Sequence, residues 1–130
     1  MTITLNHTII PSRDKDAASR LFAGLFGLAK AESMHGFAAV RVNSGLTLLF
    51  DTAEAFETRH YAFHVSNAEF DATLARLHAA GLVYGSGPGS SDDGRLNDWG
   101  GVPARSPPLG VGHSEVPYPV SVRRRPVGRR

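Results

Sequence analysis

The fold is decided by the stretch Tyr61-Ala-Phe-His-Val-Ser-Asn-Ala-Glu-Phe-Asp71, in which a predicted strand leads directly into a predicted helix. Aromatic and β-branched residues dominate its first five positions, which favours a strand. Ser66 and Glu69 then have the spacing of a capping box, which indicates that a helix begins here, and Gly81 predicts where it ends. The buried stripe of this helix is predicted to consist of Phe70, Leu74 and Leu77.

The same order of elements occurs once earlier in the chain. Residues 3–10 alternate apolar and polar side chains in the period of a half-buried strand. Asp14 is a good helix N-cap, and Gly27 supplies a left-handed stop for the helix that follows. One strand face is predicted to carry Ile3, Leu5, His7 and Ile9. The apolar positions of the helix are Ala18, Leu21, Phe22 and Leu25.

Further strands follow each helix. Residues 37–43 and 46–51 read as two strands of a hairpin joined at Asn43-Ser-Gly45, and a weaker strand is predicted within residues 29–33. In the second half a short strand is predicted at Leu82-Val-Tyr84, and two more are expected after Trp99. This internal repetition predicts an α+β fold of two βαβββ modules, the first over residues 1–53 and the second over 59–101 and onward.

Two segments give the chain its resemblance to a known family. Leu5-Asn-His7, with the helix that ends in Leu21-Phe-Ala-Gly-Leu-Phe-Gly-Leu28, resembles the first module of the vicinal-oxygen-chelate superfamily, and Tyr61–Asp71 resembles the start of the second. This superfamily includes glyoxalase I, extradiol dioxygenases and bleomycin-resistance proteins. Asn97-Asp-Trp-Gly-Gly101 lies where relatives have a glycine-rich loop before their last two strands. The resemblance covers residues 3–101.

The resemblance implies a metal site. In the superfamily the sheets curl around a divalent metal, which makes His7 and His64 the expected ligands, one from the first strand of each module. The third ligand of relatives is a carboxylate from the final strand, and Gly112-His-Ser-Glu115 is similar to that motif but one residue shorter, which makes Glu115 the candidate. Fe(II) would suit an oxygenase, and Zn, Ni or Mn a lyase or transferase. Trp99 and Phe63 are the expected substrate-pocket residues.

Residues 102–130 depart from the family pattern and form a divergent tail. Pro, Arg, Val and Gly make up 21 of its 29 residues, a composition typical of a GC-rich gene read out of frame. Its prolines argue against two regular central strands, so the second module is expected to be incomplete or irregular after residue 101. We hypothesise that a frameshift replaced the original C-terminus. Resequencing the gene tests this, and an intact single frame across codons 95–130 would rule it out.

Charge and composition limit the partners. The tail holds six arginines and one acidic residue, a net charge of +5, whereas residues 1–101 carry −3. The tail lacks interleaved aromatics, so nucleic acid is not an expected partner. No apolar run approaches a membrane span of roughly 20 residues, and the N-terminus does not resemble a signal peptide. Cysteine is absent, which excludes disulfides and thiolate metal sites, and the cytoplasm is the default compartment.

Three functions stay open. The first is a metal-dependent enzyme acting on a small oxygenated substrate, by isomerisation, epoxide opening or ring-cleaving oxygenation. The second is a non-catalytic binding protein of the bleomycin-resistance type, which sequesters a drug. The third is an inactive homologue that lacks its carboxylate ligand. Single-chain relatives commonly pair their half-barrels across a two-fold axis, so a homodimer is expected.

Overall fold

The computed structural model describes residues 2–57, 61–81, 104–105 and 120–124. Residues 2–57 belong to one compact unit, and the other described residues belong to a second. The first unit contains a four-stranded sheet in the order β1-β4-β3-β2. Strand β1 runs parallel to β4, and the other neighbours are antiparallel. Its elements are β1 (His7–Ser12), α1 (Lys15–Phe26), β2 (Glu32–Met34), β3 (Phe37–Arg41) and β4 (Thr47–Thr52).

The predicted capping residues define both ends of helix α1. The Asp14 carboxylate accepts hydrogen bonds from the backbone N–H groups of Asp16 and Ala17, which would otherwise lack partners in the first turn. Gly27 ends the helix at φ 64°, a left-handed conformation that glycine adopts without the steric cost that a Cβ brings. Both ends of α1 are therefore confirmed as the sequence predicts them.

Strand β1 extends further than its proline suggests. It runs through Pro11 to Ser12, whereas the residues before His7 are not in a strand. The carbonyl groups of Asn6 and Ser12 accept hydrogen bonds from the N–H groups of Thr47 and Ala53. The backbone polar groups of the even-numbered residues of β1 therefore point toward β4. The nitrogen of Pro11 points to the outer edge of the sheet, where a missing N–H costs no ladder hydrogen bond.

The core of the first unit lies between α1 and one face of the sheet. The Phe22 and Phe50 rings pack at a centroid distance of 5.8 Å, and Ile10 from β1 is 1% exposed beside them. Ile9, on the opposite face of the same strand, is 48% exposed. Helix α1 thus covers the face of Ile10 and Ser12 and leaves the face of His7 and Ile9 open, because successive strand residues point to opposite sides.

The second unit repeats part of this pattern. Its sheet has the order β5-β7-β6, with β5 parallel to β7 and β7 antiparallel to β6, which matches β1-β4-β3 of the first unit. The Ser66 hydroxyl accepts a hydrogen bond from the Glu69 N–H and caps α2 as predicted. The elements are β5 (Tyr61–Val65), α2 (Asn67–Ala79), β6 (Ala104–Arg105) and β7 (Val120–Arg124).

The fold is therefore α+β with two related modules, and the second has one strand fewer within the described residues. The two strands of the tail lie in proline-free windows, β6 between Pro103 and Pro107 and β7 between Pro119 and Pro126. The prolines thus delimit short strands. The predicted strand at residues 82–84 and the rest of the tail lie outside the described residues, and the frameshift stays a hypothesis. None of the described helices is long and apolar enough to cross a membrane.

Two neighbouring isoleucines test which sheet face is buried. Ile10→Ala should lower the free energy of unfolding by about 3 kcal/mol, because it leaves a cavity under α1. Ile9→Ala on the open face should cost about 1 kcal/mol, since only part of its side chain is removed from water. Urea denaturation of both variants measures the difference. Equal losses would show that α1 does not select one face.

Candidate metal and ligand site

The open face of the first sheet presents a row of three side chains from adjacent strands. His7 of β1 pairs with Thr47 of β4, and Arg41 of β3 pairs with the same Thr47 from the other side. Residues in register on neighbouring strands project from the same face. The sheet therefore carries an imidazole, a hydroxyl and a guanidinium side by side, on the side away from α1.

A pocket lies on this face. Its volume is about 400 Å³, which falls within the range typical of small-molecule sites. Every described residue that lines it belongs to the first unit. The lining residues are Asn6, His7, Met34, His35, Arg41, Ser44, Gly45, Thr47 and Leu49.

The His7 ring is held by its sequence neighbour. Its Nδ1 lies 2.8 Å from the Oδ1 of Asn6. With the amide oxygen as acceptor, Nδ1 carries the proton and donates, which leaves the Nε2 lone pair for a metal or another donor. Such a hydrogen bond to the second ring nitrogen is typical of metal-binding histidines. His7 is exposed, so a metal or ligand can approach its ring without movement of the backbone.

Two tight turns form the rim of the pocket. His35 has φ 49° and Gly36 has φ 85°, the pair of positive values that a two-residue turn between β2 and β3 requires. The Lys15 ammonium donates to the Gly36 carbonyl and holds this turn against α1. On the other side, the Asn43 Oδ1 accepts from the N–H groups of Gly45 at 2.8 Å and Leu46 at 3.0 Å. His35 therefore lies at a defined position at the rim.

His64 also lies on the first strand of its sheet, but two residues before the N-cap of α2, whereas His7 lies seven residues before the N-cap of α1. It is exposed on β5 and pairs in register with Arg123 of β7, as His7 pairs with Thr47 of β4. Phe63 is half-buried on the opposite face, which it shares with the buried Val65. Because successive strand residues point to opposite sides, Phe63 and His64 lie on opposite faces of this sheet. Strand β7 reads Val-Ser-Val-Arg-Arg and contributes no carboxylate.

The remaining predicted site residues, Glu115 and Trp99, lie outside the described residues. Within the described ranges, no group of three or more His, Asp or Glu side chains is placed to hold a metal. Besides His7, eight described residues line the pocket that sequence reasoning did not assign to a site, among them Asn6, His35 and Arg41. An available signal was Arg41 itself, a cation at the end of the apolar strand Phe37-Ala-Ala-Val, but strand patterning alone does not say what lies beside it.

Comparison with known proteins identifies relatives by structure. No protein-family model matches the sequence, and no curated protein matches it either. Among solved structures, Oxidase ChaP-H1 has 30% identity and a TM-score of 0.80, with 98% of this chain and 100% of that chain covered. Oxidase ChaP-H2 has 31% identity and a TM-score of 0.79, with 98% of both chains covered.

A more distant match shares the fold alone. The fosfomycin resistance protein FosX from Listeria monocytogenes has 14% identity and a TM-score of 0.68, with 98% of this chain and 97% of that chain covered. A glyoxalase/bleomycin resistance protein from Albidiferax ferrireducens T118 matches at a TM-score of 0.63 and 13% identity, over 93% of this chain and 98% of that one. Together with the two repeated modules and the near-complete coverage by an oxidase at 30% identity, these matches show that the chain belongs to the vicinal-oxygen-chelate superfamily.

Proposed function

We propose that this protein is a metal-dependent oxidase that acts on a small oxygenated substrate, with His7 and His64 as metal ligands. The observation that carries the proposal is His7, which lines the pocket with Nδ1 bonded to Asn6 and with the Nε2 lone pair available. The two relatives at 30% and 31% identity are both named oxidases, which favours oxidation over the lyase and transferase activities of the superfamily.

The repeat of the two modules is the reason for proposing His7 and His64 as ligands of one metal. Each lies on the first strand of its module and pairs with the strand that runs parallel to it. Neutral imidazoles suit Fe(II), Zn and Ni, and a carboxylate would also suit Mn. Fe(II) with two histidines and one carboxylate is the set that leaves positions open for oxygen chemistry. When bound, such a metal would stabilise negative charge on an oxygen of the substrate.

Several residues of the pocket are proposed to bind the substrate or to orient the His7 ring. Asn6 fixes the orientation of the His7 ring, as partners of ligating histidines do in metal sites. Met34 and Leu49 give the pocket an apolar side, and Thr47 places a hydroxyl between His7 and Arg41. Trp99 stays a predicted pocket residue. Phe63 is better assigned to the buried side of β5, because it shares that face with Val65.

The third ligand separates this proposal from a second candidate function. Glu115 stays the predicted carboxylate, but the described final strand places Arg123 in register with His64. Strand β7 contains no Asp or Glu that could serve as that carboxylate. This favours, as the second candidate, a non-catalytic protein that binds a small molecule in the pocket of the first unit. An inactive homologue would follow if the pocket bound nothing.

Metal content tests the first candidate. Purified protein loaded anaerobically with Fe(II) should hold about one metal per chain, and the double variant His7→Ala with His64→Ala should hold none, because both imidazole ligands are gone. Asn6→Ala should weaken metal affinity by about tenfold or more while keeping the stoichiometry, since it removes the hydrogen bond that orients His7.

The matched control is His78→Ala, which removes an exposed histidine from helix α2. This variant should retain full metal content, as measured by inductively coupled plasma mass spectrometry. Circular dichroism of all variants confirms that the fold persists. Unchanged metal content in the double variant would refute His7 and His64 as ligands, and absence of metal from the wild type under every loading condition would favour the binding protein.

We also propose a homodimer. Large apolar side chains are exposed at and before β1, with Ile3 at 95% and Leu5 at 65% exposure. Among the described strands, β1 is an edge of its sheet, and a second copy could cover such surfaces. Multi-angle light scattering at micromolar concentration should give twice the chain mass of 13.9 kDa. A clean monomer across the micromolar range would contradict this.

A further inference from the structure

We propose that Arg41 makes the pocket of the first unit selective for organic anions, so that the ligand carries a carboxylate or phenolate as well as an apolar body. This inference deepens the proposed function, because it names the chemical class of the substrate. Only the oxidation of that substrate rests on the proposed function. The binding preference itself follows from the side chains of one sheet face.

The position of Arg41 is set by the strand register. Arg41 and His7 flank Thr47 on its two sides, so their Cα atoms lie about 10 Å apart, two strand spacings of about 4.8 Å each. Both side chains line the same pocket. A ligand of two fused rings is long enough to place its anionic group at the guanidinium while another oxygen reaches toward His7.

The charges around Arg41 favour an external anion. No Asp or Glu is among the described residues that line the pocket. The Arg41 side chain forms no hydrogen bond or ion pair with any other described residue, and it is exposed. By contrast, Lys15, the other cation near this rim, is occupied by the Gly36 carbonyl. The guanidinium therefore has all of its donors available, in the planar fork that matches a carboxylate.

The rest of the pocket suits an apolar body. Met34 and Leu49 both line it, and Leu49 is 9% exposed, so one wall is firmly packed. The loop at Ser44 and Gly45 is held by the two hydrogen bonds to the Asn43 side chain. A preformed wall and rim reduce the ordering cost of binding. The site thus combines a fixed apolar surface with one unpaired cation.

Paired neutral and anionic probes test the selectivity. Isothermal titration of chelator-treated, metal-free protein with naphthoate and with naphthamide compares ligands of the same shape that differ in charge. Wild-type protein should bind naphthoate about tenfold more tightly than naphthamide, the size of effect expected for a charge-assisted hydrogen-bonded pair at a partly exposed site. Arg41→Ala should remove that difference by weakening naphthoate binding about tenfold.

Arg20→Ala is the matched control, because Arg20 is an exposed arginine on α1 and does not line the pocket. It should retain the full preference for naphthoate. Arg41→Lys should retain part of it, since the charge remains while the planar fork is lost. Equal affinity of the wild type for the two probes, or loss of the preference in Arg20→Ala as well, would overturn the proposal.

The titration uses metal-free protein, so its outcome is independent of whether His7 and His64 hold a metal. Protein that binds no metal but prefers naphthoate would refute the proposed oxidase and support the anion-selective pocket. Protein that binds metal but shows no preference between the probes would refute the anion-selective pocket and leave the proposed oxidase standing. The two proposals therefore fail separately.

Discussion

Helix α1 packs on one face of the first sheet, and the contact between the Phe22 and Phe50 rings determines which face that is. Because strand residues alternate between faces, burial of Ile10 forces His7 onto the opposite, uncovered side. Everything proposed about function depends on this choice. A slip of one residue in the pairing of β1 with β4 would bury His7 and expose Ile10, which would destroy both the pocket and the core.

The parallel pairing of β1 with β4 has a second consequence. It brings residues that are 40 positions apart in the chain, His7 and Thr47, into register, and the antiparallel β3 adds Arg41 to the same row. The proposed metal ligand and the proposed anion-binding side chain therefore lie in one row on the same sheet face. Sites built on strands hold their geometry better than sites on loops, so the row is a suitable base for orienting a substrate.

The repeat places one histidine on the first strand of each module, and the adjacent parallel strand differs between the modules. Thr47 of β4 is in register with His7, whereas Arg123 of β7 is in register with His64. The two proposed metal ligands therefore have different neighbours in sequence on strands of the same order.

Local sequence predicted most of the elements of this protein, though not the bounds of β1. The caps at Asp14 and Ser66 and the stop at Gly27 were predictable, because capping acts over a few residues, and both histidines lie on predicted strands. Tertiary structure alone decided which face of β1 is covered and that Arg41 stands in the row of His7. The alternating pattern marks two faces, but only packing against α1 and pairing between distant strands select one of them.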